Sequence, residues 1–347
     1  STVQCTHAAP CQGGSFKAAT GAGSCDAVGA GNYGHVYGHM YVATAATGKS
    51  PCPSGTFDDS TNNLGDGVGD CDDVQNGYQA LNGVGGAFVS EGAVAEGACA
   101  DGSYNPNGDG ACIDVPAGSY GSADGINHAT SAATGAFPCA NGSFNSNGTG
   151  ACTDVDPGNQ AVDSTSAYVS TGAVNQATCP DGHYNLNGNG PCIQVAAGYV
   201  ASTSNTATAT QADCSTVQCT HAAPCPDGSY KAATGAGSCT DVDDGYFATS
   251  DDHTYVPSAA TGSSPCPNGT FSTNGTGDCT DVGPGKQAVD STSAYVSTGA
   301  VNQASCSNGH YNLNGDGPCI QVAAGYVAST SSAATATQAT CSDSITP

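Results

Sequence analysis

Apolar positions along this chain follow neither the 3.6-residue period of an amphipathic helix nor a run long enough to cross a bilayer. Those that recur do so at fixed distances from cysteines. A Cys-x-x-Gly string is followed by Ser, Thr or His and then by one aromatic, at Phe16, Phe57, Tyr104, Phe144, Tyr184, Tyr230, Phe271 and Tyr311. A second cysteine comes 13 to 19 residues after the first. Val lies three residues beyond it and Gly six residues beyond it in all eight copies, as at Val115 and Gly118 after Cys112. Thr-, Ala- and Val-rich stretches such as residues 164–171 connect the copies, and their β-branched content predicts extended strands joining neighbours. The pattern predicts an all-β, small disulfide-rich fold. It is an elongated tandem array of about eight short β-hairpin modules, each contacting mainly its sequence neighbours.

The first cysteines are Cys11, Cys52, Cys99, Cys139, Cys179, Cys225, Cys266 and Cys306, and their expected partners are Cys25, Cys71, Cys112, Cys152, Cys192, Cys239, Cys279 and Cys319. The modules are then 1–51, 52–98, 99–138, 139–178, 179–214, 215–265, 266–305 and 306–347. Strings such as Asn105-Pro106-Asn107-Gly108-Asp109-Gly110 predict a tight Asn-Gly turn between two strands stapled by the disulfide. One aromatic and one Val per module leave little to bury. A disulfide closing a loop of this length contributes about 3 kcal/mol in the chain-entropy model, which takes over much of the work of a core.

Composition narrows the class. The 347 residues include 50 Gly, 20 Cys, one Met and no Trp, which argues against a large aliphatic core. Regularly spaced cysteines without any Cys-x-x-Cys pair point to disulfides made in an oxidising compartment rather than to zinc or iron–sulfur ligation. Four lysines and no arginine stand against 29 carboxylates, a formal charge of −25. Such a chain repels phosphate backbones and anionic membranes, so neither nucleic acid nor membrane insertion is expected. The start at Ser1, without Met or an apolar leader, fits a secreted protein or cell-surface appendage after signal removal.

The repeat Cys52-Pro53-Ser54-Gly55-Thr56-Phe57, with the Ala-Thr-Gln-Ala-x-Cys lead-in at 208–214, resembles the cysteine-rich ephrin-receptor-like repeats of extracellular proteins and the surface repeats of ciliate immobilization antigens. Val stands in every module where the former family has the second Cys of its Cys-x-x-Cys. The resemblance therefore implies an extracellular, non-enzymatic character and no particular inter-module pairing.

Longer duplications lie over the short period. Residues 160–204 recur almost unchanged at 287–331, and residues 1–25 recur at 215–239. Near-identity over such lengths suits a protein that shows one surface repeatedly, whereas a catalytic centre needs a single copy. Four cysteines remain. Cys214 has the lead-in of a first cysteine and Cys219 the context of a second, so the two read as an abbreviated ninth module. Cys5 repeats the context of Cys219 and Cys341 that of Cys214. An intersubunit Cys5–Cys341 disulfide would imitate the internal junction and give a head-to-tail homopolymer. A bond between them within one chain, or a sequence that is part of a longer repetitive polypeptide, are the other readings. The chain is accordingly read as a structural glycoprotein that assembles with itself into an extracellular filament or fibril of helical symmetry. A monomeric cell-surface coat antigen or adhesive ectodomain that works through ligand or Ca²⁺ contacts is the alternative.

Four Asn-Gly-Ser/Thr sequons, at Asn141, Asn147, Asn268 and Asn274, are expected to carry N-linked glycans, turn chemistry being the other account of Asn-Gly. Clustered carboxylates at Asp58, Asp59, Asp66, Asp70, Asp72 and Asp73 offer oxygen ligands of the kind Ca²⁺ takes, without EF-hand spacing. His35 and His39 stand four residues apart, which on one strand separates them by roughly 13 Å and argues against a shared zinc, nickel or copper ion. His183 with His310 and His7 with His221 are repeat equivalents. No nucleophile elbow, P-loop or His-Glu-x-x-His occurs, so no enzymatic activity, catalytic residue, cofactor or metal ligand is assigned.

Overall fold

The computed structural model describes residues 4–59, 71–250, 253–333 and 337–340. These residues are all-β, without helix, and form a tandem series of small antiparallel hairpins. Contacts divide the chain into two compact units, Ser1–Val155 with Ala161–Gln176, and Asp156–Gln160 with Ala177–Pro347.

Each of the first seven modules contains two hairpins rather than one; in the eighth, the described residues form only the first, His310–Tyr311 against Ile320–Gln321. In the first unit, Ser103–Tyr104 pairs with Ile113–Asp114, and Ser119–Ser122 pairs with Gly135–Pro138 in the register Ser119↔Pro138 to Ser122↔Gly135. The second unit repeats this with Thr270–Phe271 against Thr280–Asp281 and Lys286–Val289 against Asn302–Ser305. The Thr/Ala-rich stretches are the loops of the second hairpin, not strands joining modules. Within residues 164–171 the Asp163 carboxylate accepts the amides of Thr165 (2.8 Å) and Ala167 (3.1 Å), and Ser166 is left-handed at φ 67°, so the chain reverses where β-branched composition had predicted extension.

The core of a module is a handful of side chains. Val155, Ala161 and Ala173 are buried together beneath Phe144 and Val169 in the first unit; Val282, Ala288 and Ala300 lie beneath Phe271 and Val296 in the second. The cysteine after the Thr/Ala loop is buried, as at Cys139 and Cys266.

The Asn-Gly turn is also different from the expectation. Residues 105–112 form an open loop wrapped around the side chain of Asn105, which is 1% exposed. Its Nδ2 donates to Tyr78 O (2.8 Å) and Gly110 O (3.1 Å), while its Oδ1 accepts the amide of Gly108 (3.1 Å). Asn145, Asn185 and Asn312 repeat the bond to a loop glycine. Lys231 fills the same position with an ammonium, donating to Ala233 O (2.8 Å) and Gly235 O (2.7 Å), and burial pushes that ammonium below the usual lysine range. Lys17 donates likewise to Gly21 O and Lys49 to Val28 O.

Modules are tied by the glycine six residues after the second cysteine. Gly118 donates to Asn145 O (2.7 Å) and accepts from Cys139 N (2.8 Å); Gly245 does the same with Ser272 O and Cys266 N, both at 2.8 Å. Gln79 and Gln287 reach forward to accept the amides of Cys112 (2.9 Å) and Cys319 (2.8 Å) in the next module. Neighbour contacts of this kind are what a quasi-one-dimensional array requires.

Candidate functional site

The sequence points to three kinds of site: the cysteine pairs with their unpaired remainder, the sequons, and the acidic and histidine clusters.

Among the described residues nine disulfides are present, all within one chain: Cys11–Cys25, Cys52–Cys71, Cys99–Cys112, Cys139–Cys152, Cys179–Cys192, Cys214–Cys219, Cys225–Cys239, Cys266–Cys279 and Cys306–Cys319. All but Cys214–Cys219 tie a cysteine four residues before a first hairpin to the one directly before that hairpin's returning strand, as Cys99 and Cys112 do around Ser103–Tyr104 and Ile113–Asp114. The short Cys214–Cys219 bond is not a module of its own. It sits inside the second hairpin of the fifth module, where Tyr199–Ser202 pairs with His221–Pro224, so that module runs on to Pro224 rather than ending at residue 214. Cys219 takes the place held by a buried alanine elsewhere: Asn145 N donates to Ala173 O (3.0 Å), and Asn185 N donates to Cys219 O (3.1 Å). Val195, Ala201, Cys214 and Cys219 are buried together against Tyr184, Tyr199, Ala212 and Ala222. The short disulfide thus replaces core alanine and pins the returning strand.

Cys5 is a free, exposed thiol. Cys341, and with it the pairing expected for Cys5, lies outside the described residues.

All four sequon asparagines are exposed. Asn147 and Asn274 stand on the loops of first hairpins, their Oδ1 atoms accepting the amides of Thr149 (3.0 Å) and Thr276 (3.1 Å). Asn141 and Asn268 each accept the hydroxyl of a tyrosine 27 residues on, Tyr168 and Tyr295, at 3.2 Å. That slot recurs with other chemistry. His128 approaches Asp101 at 2.8 Å, and Asp101 also accepts Gly150 N of the next module (3.1 Å). Asp227 accepts Gly277 N (3.0 Å) and faces Tyr255, whose phenol is pushed up by burial first and by the Asp227 carboxylate second. The paired positions escape sequence reading because their partners differ in type. Only the nearly constant offset between them reveals them.

Hydrogen bonding sets the charge of several loops. The His128 hydrogen bond, with the amides of Gly150 and Gly102, holds Asp101 below the ordinary carboxylate range against desolvation. Asp124 is lowered strongly by the Asn127 backbone and side chain and by Ile126, and Asp163 and Asp290 are lowered by Thr165 and Thr292. Groups lowered in the fold contribute stability that is complete above the ordinary range and lost as pH falls below it. The amides of Ile126, Asn127, Thr165 and Ala167 should therefore exchange at constant protection from neutrality down to about pH 5 and lose protection below about pH 4. Amide exchange followed by NMR checks this; protection unchanged at about pH 2 counts against the carboxylate caps.

The histidine expectation is corrected. Asn32–Val36 turns at residues 37–39 and returns as Met40–Tyr41, with Val36↔Met40 and His35↔Tyr41 opposed. His39 is left-handed at φ 59°, and the His35 and His39 rings lie 4.7 Å apart. A single extended strand would have held them roughly 13 Å apart. Each Nδ1 is already engaged, that of His35 with Val36 O and that of His39 with Ser50 Oγ, both at 2.9 Å. Of the acidic candidates, Asp66 and Asp70 lie outside the described residues. Among the described residues no three His, Cys, Asp or Glu side chains form a group able to hold a metal ion.

A framework so rich in disulfides marks an extracellular or secreted protein, and no helix among the described residues is long and apolar enough to cross a membrane. No protein-family profile matches the chain, and no curated protein matches it at a significant level.

Proposed function

We propose that this chain is a secreted, N-glycosylated structural protein that assembles head to tail with further copies of itself into an extracellular filament, without a catalytic role. The observation that carries this reading is the match between one bonded cysteine pair and one separated pair. Cys214 and Cys219 are joined inside the chain, while Cys5, free and exposed, repeats the surroundings of Cys219, and Cys341 repeats those of Cys214. Joining Cys341 of one copy to Cys5 of the next removes two thiol protons and two electrons, accepted by an extracellular disulfide oxidant that is reduced to its dithiol. The contact is heterologous and extends indefinitely unless its rotation closes a ring. A formal charge of −25 opposes lateral clumping, and exposed sequons at Asn141, Asn147, Asn268 and Asn274 support a hydrated, glycan-bearing surface.

The test is a non-reducing gel and negative-stain microscopy of native material, with mass spectrometry of its disulfide-linked and glycosylated peptides. A ladder that collapses to one band on reduction, fibres, and a Cys5–Cys341 peptide are expected, with glycan mass on the sequon peptides. A monomer without reductant and dispersed short particles would replace the filament with the surface-coat reading.

A further inference from the structure

One hairpin of this chain is completed by a segment that enters after a disulfide loop, and the same two sequences occur again without each other. In the complete copy, Tyr199↔Pro224, Val200↔Ala223, Ala201↔Ala222 and Ser202↔His221 are paired. Thr220 N donates to Ser202 O (3.0 Å) and Cys225 N to Gly198 O (2.8 Å). Residues 196–204 recur identically at 323–331, and residues 215–225 recur identically at 1–11. Residues 326–329 carry no strand and Tyr326 is 77% exposed, whereas Tyr199 is half-buried in one. Residues 4–10 are exposed throughout and carry no strand. Identical local sequence in two states leaves the partner strand as the difference.

The eighth module has a groove at the matching position. It encloses about 390 Å³ and is lined by Tyr311, Asn312, Ala328, Ser329 and Ala339. The equivalents Tyr184, Ala201 and Ala212 enclose Cys219 and Ala222 in the complete copy. The link from Ala339 N to Ala328 O (2.8 Å) already repeats that from Ala212 N to Ala201 O (3.0 Å). Five residues after Cys341, where the complete copy has Cys219, the sequence has Thr346. The completing string Ser-Thr-Val-Gln-Cys-Thr-His-Ala-Ala-Pro-Cys occurs twice in this chain, at 215–225, where it is in use, and at 1–11.

We propose that residues 5–10 of a second copy add to residues 326–329 as an antiparallel strand, in the register Tyr326↔Pro10, Val327↔Ala9, Ala328↔Ala8 and Ser329↔His7. Strand addition of this kind draws affinity from main-chain hydrogen bonds and register from alternate side chains. The inference rests on the head-to-tail reading and gives it a non-covalent contact that precedes the disulfide and positions its sulfurs. Cys11 N then reaches Gly325 O, and Gly325 N reaches Lys17 O, as Cys225 and Lys231 do with Gly198.

The test uses the full chain carrying Cys5→Ser and Cys341→Ser, so that no bond between those residues forms, at about 0.15 M ionic strength to screen the charge. Sedimentation velocity should show multimers that grow with concentration and dissociate on dilution, with slow amide exchange at residues 6–9 only in the multimer. Adding Ala9→Glu places a carboxylate where Ala223 is fully buried and should raise the concentration needed for assembly by about tenfold or more. Ala9 is exposed in the single chain, so folding should be unaffected, as circular dichroism verifies. Assembly indifferent to Ala9→Glu overturns strand addition while leaving the filament intact, and so does wild-type polymer that is lost altogether in the double serine variant. Wild-type protein that stays monomeric under oxidising conditions overturns the filament itself. A monomer with protected amides at residues 6–9 means that the chain fills its own groove, which excludes the second copy.

Discussion

Reduction of the disulfides without denaturant should abolish the sheet signal in circular dichroism at about 37 °C. A typical module buries one Val and two Ala beneath one aromatic and one further Val, and burying a Val or Phe contributes only about 1.5–3 kcal/mol. Ordering the backbone costs about 1–2 kcal/mol per residue, so a cluster of that size cannot hold two hairpins alone. Each staple lowers the entropy of the unfolded chain by an amount worth about 3 kcal/mol for a loop of this length. Removing one alone, with Cys139→Ser and Cys152→Ser together, should speed amide exchange of the Ser143–Phe144 and Thr153–Asp154 strands on the order of a hundredfold, the equivalent of that 3 kcal/mol. Modules further along the array should change little. Sheet signal retained after full reduction would mean that side-chain burial has been undervalued.

Substitution of the junction glycine is the second large effect. Gly118 is left-handed at φ 83°, and a Cβ there would run into the carbonyl of Gly172. That carbonyl cannot retreat easily, because Gly172 N is held by Cys139 O at 2.8 Å. Gly110 has nearly the same φ, 85°, with nothing within 4 Å of an added Cβ. Gly110→Ala should therefore cost only the left-handed penalty, about 1–2 kcal/mol. Gly118→Ala should cost that and a backbone displacement, together about 3 kcal/mol or more, and expose the Cys139 amide to exchange. Calorimetry of the pair isolates the close approach; equal losses would show that the conformation alone sets the requirement.

Cysteines, aromatics, valines and junction glycines are legible in the sequence because each is the sole residue type that serves at its offset. The cysteine bonds a partner, the aromatic and a valine such as Val115 fill a small core, and Gly118 tolerates a carbonyl against its Cα. The second hairpin is not legible, since its core residues Ala161 and Ala173 sit in an Ala- and Thr-rich string where no alanine looks different from the next. The loop-organising position is hidden for the opposite reason: Asn105, Ser272 and Lys231 differ in type while donating or accepting at the same loop backbone. The His35–His39 approach required knowing where the strand ends, and Tyr37-Gly38 is too weak a turn signal to place it.

The lysines described above answer to carbonyl oxygens: Lys17 to Gly21, Lys49 to Val28, and Lys231 to Ala233 and Gly235. Against 29 carboxylates the chain sets only four lysines, none of whose bonds given above reaches a carboxylate, and it draws the balance of its −25 charge from dissolved salt. Mobile cations therefore accompany it wherever it goes, held within roughly a Debye length of about 8 Å in physiological salt and far more loosely in fresh water. In dilute media their osmotic pressure would draw water around the protein, so a mat of such chains would swell as salinity falls and compact as it rises.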